Sequence, residues 1–435
     1  MALDPYFDPA PGGDISFTVE APKLKFGIGA LREVGADAKA LGMTRIALYT
    51  DPRVAKLEAV DTVVKAIRAA GLNVEVFDRV EVEPTDRSFK ASAAFAREGG
   101  FDGYISVGGG SAMDTAKASN LYASYPADFL AYVNAPVGEA RRVPGPLRPH
   151  IACPTTFGTA SECTGIAIFD MLAMGAKTGI AHGALRPSLG VLDPSALMTL
   201  PAPVVAANGF DVFSHAIESL TARPYSHRMA PETPDKRPLL QGSNPYSDLA
   251  CTEAIRLVGE NIERAVKEPN DITAREPLMF AGMLAGIGFG NAGCHVPHAM
   301  SYAVAGLVED YRPEGWPADH AIVPHGMSVI LNAPAVFRSV ASACPERHLR
   351  AAAAFGADVR NVPADRAGEL LAAHVIDLMR RTDVPNGLSA VGYTEADIDA
   401  LTDGAFAQQR LLVNSPRPIS RDDLRGFFKD AMRYW

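Results

Sequence analysis

In the segment NGFDVFSHAIESL, Asp211 and His215 stand four residues apart. On a helix that spacing puts both side chains on one face. A carboxylate oxygen and an imidazole nitrogen so placed make half of a metal site, although a solvated i,i+4 pair has the same spacing. Further along, GNAGCHVPHAMSYAVAG sets His295 and His298 in an apolar run, and His325 follows Pro324 where a helix is expected to start. One Asp and three His complete a four-ligand site for Fe²⁺ or Zn²⁺ with room for a substrate oxygen. Spacing alone does not choose between His295 and His298, nor does it remove His320. A lone histidine in an apolar helix is more often a satisfied core residue.

A second group of residues suggests a nucleotide. Gly108-Gly109-Gly110-Ser111 follows the apolar run YISV and precedes a helical pattern. Glycines allow close backbone approach, and the free N–H groups of a helix start attract phosphate, so this is a candidate pyrophosphate seat. The same residues equally describe a tight turn with Ser111 as N-cap and Asp114 completing a capping box. The GxGxxG fingerprint is absent. Asp51, at the end of RIALYTD, has the position to accept a ribose hydroxyl. With Pro52 behind it, a helix cap is the better reading from the residues alone. Thr155, Thr156 and Thr159 in CPTTFGTASECTG offer hydroxyls that caps and turns also use.

The elements that must position these residues alternate in the first half. Helical LREVGADAKALG, strand RIALYTD, a helix over 54–70, strand NVEVFD, helical RSFKASAAFAREGG, strand YISVGGG and helical SAMDTAKASNLYAS follow in turn. Such alternation predicts a parallel sheet covered on both faces, with ligands beyond the carboxyl ends of its strands. A last strand in RPSLGVLDPSALMTLP and the prolines after it put a domain boundary near residue 200. Residues 1–15, acidic and rich in Pro and Gly, read as a loose arm. Residues 201–435 read as helical, with runs over 204–223, 246–267, 273–306, 325–341, 346–356, 364–382 and 421–433. A Pro-rich loop of the kind that is often functional separates the first two runs.

The net charge of −9, with no basic stripe, argues against nucleic acid. No apolar run has the length of a membrane span, and the N-terminus has no signal-peptide character. Five scattered cysteines without a CxxC pair predict reduced thiols and a cytoplasmic protein.

In combination, FGIGAL, YTD, GGGSAMDTAK, CPTTFGTASE, VLDP, GFDVFSHAIES, HAMSY and PHGMS run along nearly the whole chain. In that order the sequence resembles the iron-containing (group III) alcohol dehydrogenase family. The resemblance implies a dehydroquinate synthase-like fold: an N-terminal dinucleotide-binding α/β domain, an all-helical C-terminal domain, and a site in the cleft between them. Carried over by motif, the metal ligands are Asp211, His215, His298 and His325. His298 is the histidine followed by Ala299-Met300, and His295 falls outside the pattern. The pyrophosphate falls on Gly108, Gly109, Gly110 and Ser111 with Asp114 nearby, the adenosine ribose at Asp51, and Thr155, Thr156 and Lys177 along the cofactor, with Thr159 in the same loop. Iron is favoured over zinc by the resemblance, the cofactor is NAD, and a homo-oligomer, dimer or larger, is expected.

Within the family the likeness is closest to the hydroxyacid–oxoacid transhydrogenase branch, through NLYASYPADFLAYVNAPVG, QGSNPYSD, AGIGFGNAGCHVPHAMSY and CPERHLR. That branch oxidises 4-hydroxybutyrate and reduces 2-oxoglutarate on a nicotinamide that stays bound through both half-reactions. Two departures stand out. Tyr302 occupies the place, four residues after the third ligand, where many of the family's alcohol dehydrogenases carry a second histidine near the nicotinamide. The loop TTFGTASECTG carries Phe157, Ala160 and Cys163 where the branch usually has small or hydroxylated residues. Tyr302 and His298 are therefore the expected catalytic pair. A distal carboxylate on the substrate calls for an Arg or Lys; Arg228, Lys236 and Arg237 in the long loop are candidates, with Phe157 lining the pocket, and solvated loop charge is an equally good account of each cation. The competing readings are a conventional NAD-dependent alcohol dehydrogenase that releases its cofactor at each turnover, and a non-catalytic metal-binding protein on the same fold.

Overall fold

The computed structural model describes residues 4–174, 176–316 and 321–435. Two compact units emerge, one of Ala21–Thr199 and one of Leu200–Trp435 joined by the residues before Ala21.

The first unit contains β1 (Lys23–Phe26), α1 (Val34–Ala40), β2 (Arg45–Tyr49), α2 (Glu58–Ala69), β3 (Asn73–Phe77), α3 (Asp86–Gly99), β4 (Gly103–Gly108), α4 (Gly110–Ser124), β5 (His150–Pro154), β6 (Ile166–Met171), β7 (Ala176–Ala181) and β8 (Leu189–Leu192). Six strands form one parallel sheet in the order β1-β8-β5-β4-β2-β3. Alternate residues point to opposite faces. Ile46, Leu48, Ile105 and Val107 pack under α1 and α2, while Ala47, Tyr49 and Tyr104 pack under α3 and α4. From β2 the chain passes to β3 on one side and then to β4 on the other. The crevice between the ends of β2 and β4 is thus the switch point where such sheets bind ligands. Two elements were not evident from periodicity. One is the edge strand β1. The other is the antiparallel β6–β7 hairpin, whose Phe169 and Ile180 pack with Phe89 and Leu121.

The second unit is helical: α5 (Ala202–Thr221), α6 (Pro245–Lys267), α7 (Ile272–Ala292), α8 (Val296–Gly306), α9 (His325–Ile330), α10 (Ala333–Val340), α11 (Pro345–Ala354), α12 (Ala367–Arg381), α13 (Ile398–Phe406), α14 (Gln409–Leu412) and α15 (Arg421–Asp430). The run 273–306, expected as one helix, is two helices bent by 102°. Gly293 at φ +89° turns the chain, and Pro297 fits the first turn of α8, where no N–H is needed. No single described helix is long and apolar enough to cross a membrane; the bent pair has the length and apolarity, and its side chains are largely buried in this unit.

From Asp4 onward the N-terminal arm is not loose. Tyr6 donates its hydroxyl proton to the Ala222 carbonyl at 2.7 Å, Arg237 pairs with Asp14 at 2.8 Å, and the Arg347 guanidinium lies 4.1 Å from the Tyr6 ring centroid. Composition predicts looseness only for a segment without fixed partners, and here Asp4, Tyr6 and Asp14 each have one.

Candidate functional site

α5 is buried along almost its whole length, and Asp211 and His215 lie on adjacent turns of it. His298 comes from the first turn of α8, and His325 opens α9. Gly326 explains how α9 reaches α5: a Cβ there would stand 2.0 Å from the Ala207 carbonyl oxygen and 2.7 Å from the Asp211 Cβ. Asp211 Oδ1 lies 3.7 Å from His215 Nδ1, from His298 Nε2 and from His325 Nε2. One ligand atom from each of the four residues falls within 4.8 Å of the others.

Asp211 Oδ1, His215 Nδ1 and His298 Nε2 are buried without a hydrogen-bond partner. Converging unsatisfied polar atoms are costly in a protein interior, and a divalent cation satisfies all of them at once, so the donor set fits such an ion. Burial pushes His215 down to about 3, which keeps it neutral, the form a metal ligand needs. Its ring stacks on Phe289 with centroids 3.9 Å apart.

Glu218, one turn beyond His215, is fully buried and was not among the sequence candidates. Its Oε2 is in close contact with His298 Nδ1, and its Oε1 accepts from the backbone N–H of His298 at 3.0 Å and of His295 at 3.3 Å. The carboxylate holds the proton on Nδ1 and turns Nε2 toward Asp211. Lying seven residues after Asp211, it shares that residue's helix face, but its partner sits on another helix. Glu218, Cys294 and His298 also converge; Glu218 is engaged there by the three N–H groups, and burial pushes the Cys294 thiol up to about 11. Glu218→Gln is expected to weaken metal affinity about 10- to 100-fold, read from competition with a chromophoric chelator.

His295 has a different role. Its Nδ1 accepts from Val296 N–H at 2.8 Å, capping α8. That leaves Nε2 to donate to the Thr221 hydroxyl at 3.0 Å, which in turn donates to the Ile217 carbonyl at 2.7 Å. His320 lies outside the described residues. Tyr302 is on α8, four residues past His298, and its hydroxyl accepts from Arg410 Nη2 at 3.1 Å.

In the α/β unit, Gly109 precedes α4 in an extended conformation with no side-chain cap on the helix. The expected Ser111–Asp114 capping box does not form: Ser111 Oγ accepts from Glu83 N–H at 3.2 Å, and Asp114 turns to Ser161 and Ile168. A Cβ on Gly110 would stand 2.8 Å from Thr159 Oγ1, and one on Gly109 would stand 3.3 Å from Thr156 Cγ2. The glycines thus let the helix start pack against the threonine loop, where Thr159 Oγ1 is buried without a partner. Thr155 N–H donates to the Gly108 carbonyl at 2.9 Å. Asp51 Oδ1 caps the turn after β2, accepting from Arg53 and Val54 N–H, and Oδ2 lies 4.0 Å from a Cβ built on Gly108. It therefore caps and also faces the switch-point crevice. The uncapped helix start and the orphaned hydroxyl fit a dinucleotide's phosphates. Lys177 is committed to ion pairs with Glu83 at 2.6 Å and Asp170 at 3.0 Å.

Of the substrate candidates, Arg237 is held by Asp14 and Lys236 by Glu232. Arg228 Nη1 lies 3.4 Å from Asn414 Oδ1. Phe157 is buried in the α/β unit.

Residues 21–194 match the family model described as iron-containing alcohol dehydrogenase, and residues 239–432 match that of the Fe-containing alcohol dehydrogenase family, C-terminal. The chain is 45% identical to the hydroxyacid-oxoacid transhydrogenase, mitochondrial, of Bos taurus, over 97% of this chain and 91% of that one. The Homo sapiens protein of the same name is 45% identical with the same coverage. A crystal structure of 1,3-propanediol oxidoreductase superposes with a TM-score of 0.84 at 28% identity, covering 96% of this chain and 100% of that one. The cytoplasmic expectation is corrected by these relatives, both of which are named as mitochondrial. All five cysteines are buried and none is in a disulfide.

Proposed function

The chain belongs to the iron-containing alcohol dehydrogenase family, and we propose that it passes hydride from a hydroxyacid such as 4-hydroxybutyrate to an oxoacid such as 2-oxoglutarate. The observation that carries this reading is the buried cluster of Asp211, His215, His298 and His325 with its unsatisfied ligand atoms. The 45% identity to a hydroxyacid-oxoacid transhydrogenase supports the substrate pair. When bound, Fe²⁺ (or Zn²⁺, which the donor set also suits) supplies Lewis acidity toward the substrate oxygen, and NAD accepts and returns the hydride.

The chain's own residues set the conditions for that chemistry. Asp211 contributes the one negative charge among the four ligands, so a divalent ion there keeps net positive charge. Burial keeps His215 neutral, and Glu218 holds the His298 proton on Nδ1, leaving Nε2 as the donor atom. Phe289 covers one face of the His215 ring and excludes water from it. Gly109 and Gly110 leave the start of α4 open, and Thr159 offers its hydroxyl beside it.

Metal-loaded enzyme given 4-hydroxybutyrate and 2-oxoglutarate without added NAD is expected to form 2-hydroxyglutarate over many turnovers, measured by mass spectrometry. Product that forms only when NAD is added would favour a cofactor exchanged at each turnover. No product even with NAD would overturn the proposed substrate pair.

A further inference from the structure

We infer that Arg410, held in place by Tyr302, is the receptor for the carboxylate that the hydroxyacid and the oxoacid have in common; this rests on the reaction proposed above. Tyr302 follows the ligand His298 by four residues on α8. The two side chains therefore share a helix face, displaced by about 6 Å along the axis. Arg410 Nη2 donates to the Tyr302 hydroxyl at 3.1 Å, and its guanidinium carbon lies 5.4 Å from the centre of the phenol ring. Arg410 is exposed, and among the described residues it forms no ion pair. The cations of the long loop differ: Arg237 and Lys236 are paired with carboxylates, and Arg228 is turned to Asn414.

The two substrates differ at the reacting carbon but share a feature beyond it. 4-Hydroxybutyrate and 2-oxoglutarate each carry a carboxylate three bonds from the carbon that exchanges hydride. In an extended chain that places the carboxylate oxygens about 5 Å from the reacting carbon, close to the one-turn displacement between His298 and Tyr302. One guanidinium held beside Tyr302 serves both half-reactions, and its planar fork matches a carboxylate in two-point contact. Tyr302 is the positioning residue. Its oxygen accepts one N–H, its ring face attracts the guanidinium, and the remaining donors stay available for the substrate. A histidine at this position accepts through a ring nitrogen only while neutral. The exchange of imidazole for phenol thus goes with a cation placed for acidic substrates.

Steady-state kinetics of Arg410→Gln and Tyr302→Phe test this, with metal content measured on the same samples. For Arg410→Gln, the preference for 4-hydroxybutyrate over butane-1,4-diol, taken as the ratio of kcat/KM values, is expected to fall about 100-fold, with an equal fall for 2-oxoglutarate. Tyr302→Phe keeps the ring and removes the acceptor; KM for both acids should rise about 10-fold with a smaller change in kcat. Equal losses on the acid and the diol, or a loss confined to one of the two acids, would overturn the shared receptor. Wild-type enzyme that turns over neither acid would instead sink the proposed reaction, whatever the variants do.

Discussion

Asp211→Ala is expected to empty the metal site and lower kcat/KM for the hydroxyacid by at least about 10⁴-fold. Asp211 is the only carboxylate among the four converging ligands, and its Oδ1 lies 3.7 Å from a ring nitrogen of each of the three histidines. Without it, three imidazoles remain with no anionic ligand for a divalent ion in a buried site, and the Glu218 carboxylate stands behind the His298 ring rather than among the ligand atoms. The His215 ring, neutral through burial, offers a lone pair but no charge. Asp211→Asn separates charge from volume: it keeps the shape of the side chain and should still lose most of the metal. The measurement is metal content by inductively coupled plasma mass spectrometry, beside circular dichroism to show that the helical unit is intact. Full metal occupancy in either variant would refute the ligand assignment.

How much of this centre was legible in the sequence depends on whether a residue's partner lies on its own element. Asp211 and His215 are one turn apart on α5, so the helical period was enough to pair them. His295 and His298 could not be separated by spacing. The apolar pattern continues through residues 293–295, and a buried helix with apolar residues all round gives no sign of where it breaks. The bend of 102° decides the matter, because it makes His295 the cap of α8 and sends His298 to Asp211. Glu218 was missed for a related reason. It sits on the visible face of α5, but its work is done on α8. In the α/β unit the parallel sheet followed from alternating strand and helix periods. The β6–β7 hairpin did not, since IAIFDMLAMGAKTGIA is a mostly apolar run whose period does not separate strand from helix. The resemblance places Lys177 along the cofactor; its ion pairs from β7 to Glu83 and Asp170 are a tertiary pairing that no local pattern carries.

Asp114→Ala is the substitution expected to cost the most stability, about 3–5 kcal/mol. Lys117, one turn further along α4, has a fully buried side chain. Its ammonium donates to the carbonyls of Ser161 and Ile166, both at 2.7 Å, and lies 3.5 Å from Asp114 Oδ1. Asp114 in turn accepts from the Ser161 hydroxyl at 2.5 Å and from Ile168 N–H at 2.9 Å. Burial disfavours the charged form of both groups, raising Asp114 and lowering Lys117, and each opposes that effect in the other. Alanine at 114 leaves the ammonium without its nearest countercharge and also frees the backbone that leads into β6. The threonine loop that packs against Gly109 and Gly110 belongs to the same segment, so NAD affinity should fall together with stability. The midpoint of urea unfolding, followed by a probe in the α/β unit, reads the effect. A double variant with Lys117→Met separates the causes: removing the stranded charge should recover at least about 1 kcal/mol of the loss. If the two substitutions are simply additive, the pair is not coupled, and the cost of Asp114→Ala comes from its hydrogen bonds to Ser161 and Ile168 alone.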